Sequence, residues 1–348
     1  MNSEDSSMEP QNKDQPRDQN DETQEVIKKD SVPHFLPTFR VLSNLYPLPI
    51  IAVVIISGFL AYLTFTIAGV QIDGGYFPEG EYGIFGAILN GIIFTVLAAI
   101  SGFILIFIIK RKGLNILKYV FGFSIGFLGF FLTLFFSSII VYVIFVQFPE
   151  TEFIVSLYYI LEDIVLPIAS GVFTILLLYL YFTSKSITSK NFIVLYVGLL
   201  IGASLGVLMP LWTTLAILIG ISCWDLFAVL YKKGPIKEMI DIASSENTQD
   251  DIMVESVQDK IEKGEAVYDT SRLEIGIGDL AFYSMLTSSA LVQTNNLFIM
   301  IFTAIAIIIG TGITISGLKR NKVLPGLPIS IFLGIATMLI SWAIILII

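Results

Sequence analysis

The chain has 348 residues, of which 55% are hydrophobic and only 14% are charged. Its mean hydropathy of +0.82 excludes an ordinary soluble globular domain and indicates a membrane protein with several spans. The formal net charge of -9 comes mostly from the N-terminal tail and one polar loop, and no basic patch suggests binding to nucleic acid.

The first 45 residues are predicted to be a disordered, acidic tail on the cytoplasmic side. The stretch from Met1 to about Val32 is polar, acidic and poor in aromatic residues. Such a composition cannot bury enough apolar surface to fold by itself. No secretory signal precedes the first apolar run.

Nine apolar runs follow, each long enough to cross a hydrocarbon core of about 30 Å as a helix. They lie at about Leu48–Val70, Gly83–Ile109, Leu117–Phe148, Ile164–Phe182, Phe192–Met209, Leu211–Tyr231, Ile275–Val292, Leu297–Leu318 and Leu327–Ile348. The sequence therefore predicts an all-α polytopic membrane protein with about nine transmembrane helices. Residues 46–231 hold the first six of these spans, and residues 275–348 hold the last three.

Residues 232–274 are predicted to form a polar cytoplasmic loop. Its first part, PIKEMIDIA, places apolar residues on one side of a short helix that begins with proline, which predicts an amphipathic helix at the membrane surface. Lysine and arginine occupy every second connection between spans, as at Lys110–Lys112 and Lys232–Lys233, whereas the intervening connections are acidic or uncharged. This alternation predicts a cytoplasmic N-terminus and an external C-terminus.

Two aspartates lie inside apolar runs, where an ionisable group is a candidate functional residue. Asp225, in ISCWDLFAVL of the sixth span, comes seven residues before Lys232, and Asp279, in the seventh span, comes seven residues after Arg272. At about 1.5 Å per helical residue, both lie roughly 10 Å inside the cytoplasmic boundary. The two antiparallel helices therefore bring their carboxyl groups to the same depth.

Such a pair has a specific chemistry. Like charges held close together cannot both ionise, so two carboxyl groups share one proton near neutral pH. One residue type then supplies a base and an acid, as in aspartic proteases. The alternative is that each aspartate packs a helix or relays protons, paired with a hydroxyl or a backbone carbonyl.

Two further segments accompany the pair. Gly276 and Gly278 come directly before Asp279 and leave room for another backbone or for water. In LPGLPIS, Leu324–Ser330, two prolines predict a non-helical segment at the entry to the last span. It is either a simple turn or a backbone edge that helps to hold an extended peptide.

WDLFAVL, GIGD and LPGLPIS resemble, in order and spacing, the YD, GxGD and PAL signatures of the presenilin and signal peptide peptidase aspartyl intramembrane proteases. The flanks of the first two segments are also similar to presenilins, and LPGLPISI is closer to the presenilin form than to the peptidase form. The resemblance covers spans six to nine, whereas the first five spans match only in number and direction.

The resemblance implies that Asp225 and Asp279 are the catalytic pair of an enzyme that cuts transmembrane helices of other membrane proteins within the lipid bilayer. It implies that Leu324, Pro325, Gly326 and Leu327 shape the active site and the docking of substrate. With Gly276 and Gly278, these are the predicted substrate-binding residues. Neither a metal nor another cofactor is expected.

Three residues depart from the family pattern. Trp224 stands where the family usually has tyrosine, so an indole replaces a phenolic hydroxyl. Gly326 replaces the alanine of PAL. Glu274 stands where presenilins carry lysine, which places a negative charge near Asp279.

Other functions remain as alternatives or are excluded. GASLG, Gly202–Gly206, fits the GxSxG pattern of serine hydrolases, but the single histidine, His34, lies in the polar tail and offers no base, so these glycines are interpreted as helix-packing points. One histidine also cannot supply the ligands of a metalloprotease. Glu162 and Asp163 are interpreted as charges at the outer membrane surface. A proton-coupled transporter that uses both aspartates as a relay, and a scaffold without activity, stay open.

Overall fold

The computed structural model describes residues 25–27, 37–70, 74–113, 115–230, 266–268, 272–318 and 326–347. The helices in these ranges are α1 Pro47–Tyr62, α2 Glu79–Lys112, α3 Asn115–Phe145, α4 Glu152–Ile160, α5 Leu166–Thr183, α6 Ile187–Leu208, α7 Leu211–Leu230, α8 Ile277–Thr294, α9 Leu297–Leu318 and α10 Gly326–Ile347. A π-helical turn, Leu63–Ile67, extends α1, and another, Leu161–Val165, joins α4 to α5.

Within the described ranges, eight helical segments are long and apolar enough to cross a membrane. The predicted seventh span is the additional helix α8, which has 18 residues and carries polar side chains such as Thr287 and Ser288. Because α8 lies inside the bundle, most of its surface faces protein, and apolar side chains are not required all around it. The all-α polytopic prediction is confirmed, whereas the orientation of the termini stays a prediction.

The fourth span begins earlier than predicted. Its helical segment extends over Glu152–Thr183 and contains Glu162 and Asp163, at which the predicted span had its outer edge. A helix can continue beyond the hydrocarbon core, so charged residues mark the surface of the membrane without ending the helix. The predicted span therefore matches the apolar part of this segment, but the helix begins about 12 residues earlier than the predicted span.

Two pairs of short strands lie beside the helices. Strand β1, Glu25–Ile27, pairs in parallel with β3, Ala266–Tyr268. Strand β2, Thr38–Leu42, pairs antiparallel with β4, Arg272–Gly276, which leads directly into α8.

These strands correct the predicted domain boundaries. The prediction of a disordered tail that extends to residue 45 is wrong for Thr38–Leu45, because these residues form β2 and a 3₁₀ turn. These residues form a strand because apolar and polar side chains alternate along it. Phe39 and Val41 pack against the hydrophobic core of the bundle, while Thr38 and Arg40 lie on the other face. Likewise, β4 occupies the end of the predicted polar loop. The predicted amphipathic helix at 235–243 lies outside the described residues.

Helix α8 is the centre of the bundle. All residues from Leu280 to Val292 except Phe282 are buried, and α8 packs against α1, α6, α7, α9 and α10. Its contact with α6 is made through glycine, because a Cβ added at Gly202 would lie 2.1 Å from the Ser284 Cβ, and one at Gly206 would lie 2.6 Å from the Ser288 Cβ. The interpretation of GASLG as a helix-packing segment is confirmed.

Candidate active site

Asp225 lies near the end of α7. Leu218, Ser222 and Ala228, which are three or seven residues away and share its face of the helix, are buried, whereas Cys223 and Phe227 on the opposite face are exposed. The aspartate is partly buried and lies on the inward face of α7.

Asp279 lies in the first turn of α8, three residues after the N-cap residue Gly276. The backbone N–H of Gly276 faces its carboxylate. The start of a helix has unpaired N–H groups, which favour an acidic side chain in the first turn. The strand β4 and the helix α8 thus fix Asp279 from both sides.

The first turn of α10 brings the two aspartates together. The backbone N–H of Leu327 faces the Asp225 carboxylate. A Cβ added at the preceding residue, Gly326, would lie 3.8 Å from Oδ2 of Asp279. The two carboxyl groups interact electrostatically, and both contact the same turn of backbone.

The glycines before Asp279 face different ways. A Cβ added at Gly276 would lie 3.7 Å from Oδ2 of Asp279, whereas Gly278 is exposed, and a Cβ there would meet only the ring of Phe282, at 3.8 Å. Gly276 therefore leaves space beside the carboxylate, and Gly278 leaves space on the outer surface of the turn.

The prediction of a non-helical LPGLPIS is wrong for the part that the structure describes. Helix α10 begins at Gly326 and includes Leu327, Pro328 and Ser330. Proline is tolerated in the first turn of a helix, where its missing N–H has no intrahelical partner to lose. The predicted site residues Leu324 and Pro325 lie outside the described residues.

An extended backbone edge is instead provided by β4. The side chain of Asn191 on α6 accepts from the Arg40 N–H and donates to the Arg40 carbonyl, at 2.8 Å each. Both backbone groups of Arg40 therefore point away from β4, so Arg40 and Glu274 form a non-hydrogen-bonded pair of the antiparallel ladder. It follows that the N–H and C=O of Glu274 point to the opposite edge of β4.

The negative charge of Glu274 has partners. Nε of Arg40 lies 3.1 Å from one carboxylate oxygen of Glu274, and the Thr38 hydroxyl donates to the other, also at 3.1 Å. This ion pair was not predicted, because Arg40 belongs to the segment that was predicted to be disordered.

An apolar groove of about 700 Å³ lies along the face of α7 opposite Asp225. It is lined by α2, α7 and α10, with Cys223, Trp224 and Phe227 at the end near the aspartate. The indole of Trp224 packs edge-on against Phe103 of α2, with ring centroids 5.7 Å apart. The residue that replaces the family's tyrosine therefore forms part of the groove wall.

Among the described residues, no three His, Cys, Asp or Glu side chains come together as metal ligands.

Comparisons with known proteins agree with this architecture. The family model described as Presenilin matches residues 78–262 and 245–346. Presenilin-B of Dictyostelium discoideum is 39% identical over 129 residues, which make up 36% of this chain and 25% of that protein. A presenilin-like protein of Arabidopsis thaliana is 25% identical over 323 residues, covering 72% of this chain and 76% of the relative.

Two solved structures of a presenilin family intramembrane aspartate protease, in space groups C222 and P2, share the fold. The TM-scores are 0.55 and 0.53 at 13% and 14% sequence identity, and the matches cover 87% and 86% of this chain and 99% and 96% of those chains. The chain is therefore an integral, multi-pass membrane protein that belongs to the presenilin family.

Proposed function

We propose that this protein is an intramembrane aspartyl endopeptidase that hydrolyses peptide bonds within the transmembrane segments of other membrane proteins. The observation that carries the proposal is the position of Asp225 and Asp279 on one turn of backbone, where Leu327 and Gly326 contact their carboxyl groups. Two interacting carboxyl groups at a partly accessible site match the acid and base that aspartic proteases require.

In the proposed mechanism the two aspartates share one proton. The ionised carboxylate accepts a proton from a water molecule, whose oxygen attacks the carbonyl carbon of the scissile peptide. The protonated carboxyl group donates its proton to the carbonyl oxygen, which gives a neutral tetrahedral intermediate. Transfer of a proton to the amide nitrogen then breaks the C–N bond and releases a carboxyl and an amino terminus. Asp225 and Asp279 are both catalytic residues, and no covalent intermediate with the enzyme forms.

The substrate must be extended at the site of attack. Backbone groups of an intact helix are hydrogen-bonded to each other, and in a bilayer they cannot be released without new partners. The outer edge of β4, to which the backbone of Glu274 points, can supply them by strand addition. Gly276 and Gly278, between this edge and Asp279, keep the approach free of side chains.

The apolar groove between α2, α7 and α10 is the proposed approach for the substrate helix. Its lining matches a transmembrane segment in polarity, and along α7 it reaches the level of Asp225, on the opposite face of that helix. An apolar helix leaving the lipid at this face would lie beside α7 without crossing the central helix α8.

The test is cleavage of a single-span polypeptide by purified protein in liposomes. Asp225→Asn and Asp279→Asn each keep the shape of the side chain but remove its ability to exchange a proton, so both variants are expected to lose cleavage. Asp163→Asn is the matched control, because Asp163 is an exposed aspartate on the joint between α4 and α5. Cleavage retained by either active-site variant would refute the proposal.

A further inference from the structure

Glu274 is an acidic residue of β4 whose side chain the proposed mechanism does not use. It comes five residues before Asp279, and its side chain is 23% exposed. Its backbone N–H and carbonyl point to the outer edge of β4, because Asn191 holds both backbone groups of the opposite residue, Arg40. A strand that adds to this edge therefore places one of its side chains next to that of Glu274.

The two faces of the sheet formed by β2 and β4 differ in polarity. Leu273 and Ile275 are 8% and 7% exposed, and their partners Val41 and Phe39 pack against the core of the bundle. Glu274 lies on the other face, because successive side chains of a strand point to opposite sides. An added strand alternates in the same way, so the neighbours of its residue beside Glu274 face the bundle.

The charge of Glu274 is only partly compensated within the sheet. Nε of Arg40 lies 3.1 Å from one carboxylate oxygen, and the Thr38 hydroxyl lies 3.1 Å from the other. Both partners belong to β2, so the carboxylate lies between them and the outer edge. Each carboxylate oxygen can accept more than one hydrogen bond, which leaves capacity for a second cation. Adjacent strands are about 4.8 Å apart, so a side chain on an added strand lies closer to Glu274 than to Arg40.

The membrane determines which end of a substrate meets β4. Asn191, in the first turns of α6, contacts Arg40 of β2, so the start of α6 lies on the same side of the bundle as β4. Lys185 and Lys190 flank this start. Membrane proteins carry their lysine and arginine residues preferentially on one and the same side of the membrane. A single-span substrate therefore has its own basic residues at the end of its span that reaches β4.

We infer that Glu274 is a specificity-determining residue, which selects substrates with a lysine or an arginine beside it on the added strand. The preferred segment has this basic residue between two apolar ones, because its neighbours lie beside Leu273 and Ile275. The basic end of an apolar span has this composition. The inference rests on the proposed function and deepens it by naming the substrate segment that the outer edge of β4 binds.

The first test places either lysine or glutamate at successive positions along the basic end of a single-span substrate in liposomes. Competition between the two versions at each position gives the ratio of their kcat/KM values. We expect the ratio to alternate between adjacent positions and to favour lysine roughly threefold to thirtyfold at the positions that face Glu274. A ratio near one throughout, or a preference for lysine without alternation, would overturn the inference.

The second test compares Glu274→Gln with Arg40→Gln at the position with the largest ratio. Each variant breaks the same ion pair, so a loosening of the sheet is common to both. Glu274→Gln removes the negative charge, and its ratio should fall to about one. Arg40→Gln removes the cation that competes with the substrate for the carboxylate, so its ratio should equal or exceed that of the unmodified protein. An unchanged ratio in Glu274→Gln, or an equal loss in both variants, would overturn the inference.

Failure of this inference is distinguishable from failure of the proposed function. A ratio near one in a protein that cleaves both substrates removes the role of Glu274 and leaves the protease standing. Cleavage that survives in Asp225→Asn or Asp279→Asn refutes the proposed function itself.

Discussion

Asp225 and Asp279 lie on helices with opposite surroundings. Helix α8, which carries Asp279, is buried along nearly its whole length and is held by five other helices. Helix α7, which carries Asp225, packs on α2, α8 and α10 but leaves Trp212, Ile219 and Cys223 on the open groove. Asp279 is thus carried by a helix that the core holds on all sides, and Asp225 by a helix whose opposite face is open to the groove.

This difference separates two requirements of a protease within a membrane. The reacting groups must be held rigidly, because catalysis depends on their position. The substrate must also enter from the lipid, which requires a face that is not closed by tight packing. The chain meets the first requirement at α8 and the second at α7.

The largest effect is expected from a change in the packing of α8. Gly202→Ala places a Cβ 2.1 Å from that of Ser284 and 2.7 Å from the carbonyl of Ala281, so the backbone must shift, at a cost of about 1–3 kcal/mol. Thermal unfolding in detergent should therefore occur at a clearly lower temperature. Gly171→Ala on α5 is the control, because its Cβ would meet only Phe130, at 3.9 Å, and replacing glycine in a helix stabilises by about 0.5–1 kcal/mol. Equal stability of the two variants would contradict the contrast between centre and periphery.

The next effect concerns the open side. Cys223 is the single cysteine of the chain and is exposed on the groove. Its alkylation with N-phenylmaleimide should raise KM for a single-span substrate and leave kcat within about twofold, because bulk in the groove hinders binding more than chemistry. The Cys223→Ser variant should not respond to the reagent. A loss of kcat with unchanged KM would show that the groove does not receive substrate.

A smaller effect is expected at the strand that supports Asp279. Arg40→Glu places two acidic residues opposite each other on β2 and β4, and a pair of this exposure contributes up to about 1 kcal/mol. We expect slightly lower stability and slower cleavage. The charge-swapped double variant, Arg40→Glu with Glu274→Arg, should recover both. If the double variant is as impaired as the single one, the ion pair has no such role.

The smallest effect is expected for Gly326→Ala, which restores the alanine of the PAL signature. Its Cβ would lie 3.8 Å from Oδ2 of Asp279, an ordinary van der Waals distance. Activity should stay within about twofold of the unmodified protein, because no atom has to move. A large loss of activity would mean that the first turn of α10 is closer to Asp279 than the structure has it.

The apolar spans and the meeting of the two aspartates were predictable from the sequence, because contact with lipid requires long apolar runs and a buried carboxyl group stands out in them. Strand β2, Thr38–Leu42, was not predictable, because the tail that precedes it is polar and its partner strand β4 is remote in sequence. The first turn of α10 was predicted to be non-helical. A proline interrupts a helix only when it lies beyond the first turn, and Pro328 lies within the first turn of α10.

The positions of Gly326 and Leu327 beside the aspartates were also out of reach of sequence reasoning, because their contacts are made by backbone atoms that no side-chain pattern reveals.

The most direct test of the account is equilibrium binding of a hydroxyethylene peptide isostere, whose hydroxyl imitates the attacking water between two carboxyl groups. It needs no knowledge of the natural substrate. We predict that Asp225→Asn and Asp279→Asn each weaken binding by about 100-fold or more, as expected for a transition-state analogue, whereas Asp163→Asn binds like the unmodified protein. Equal affinity in the unmodified protein and either active-site variant would contradict the claim that the two aspartates act as one catalytic pair.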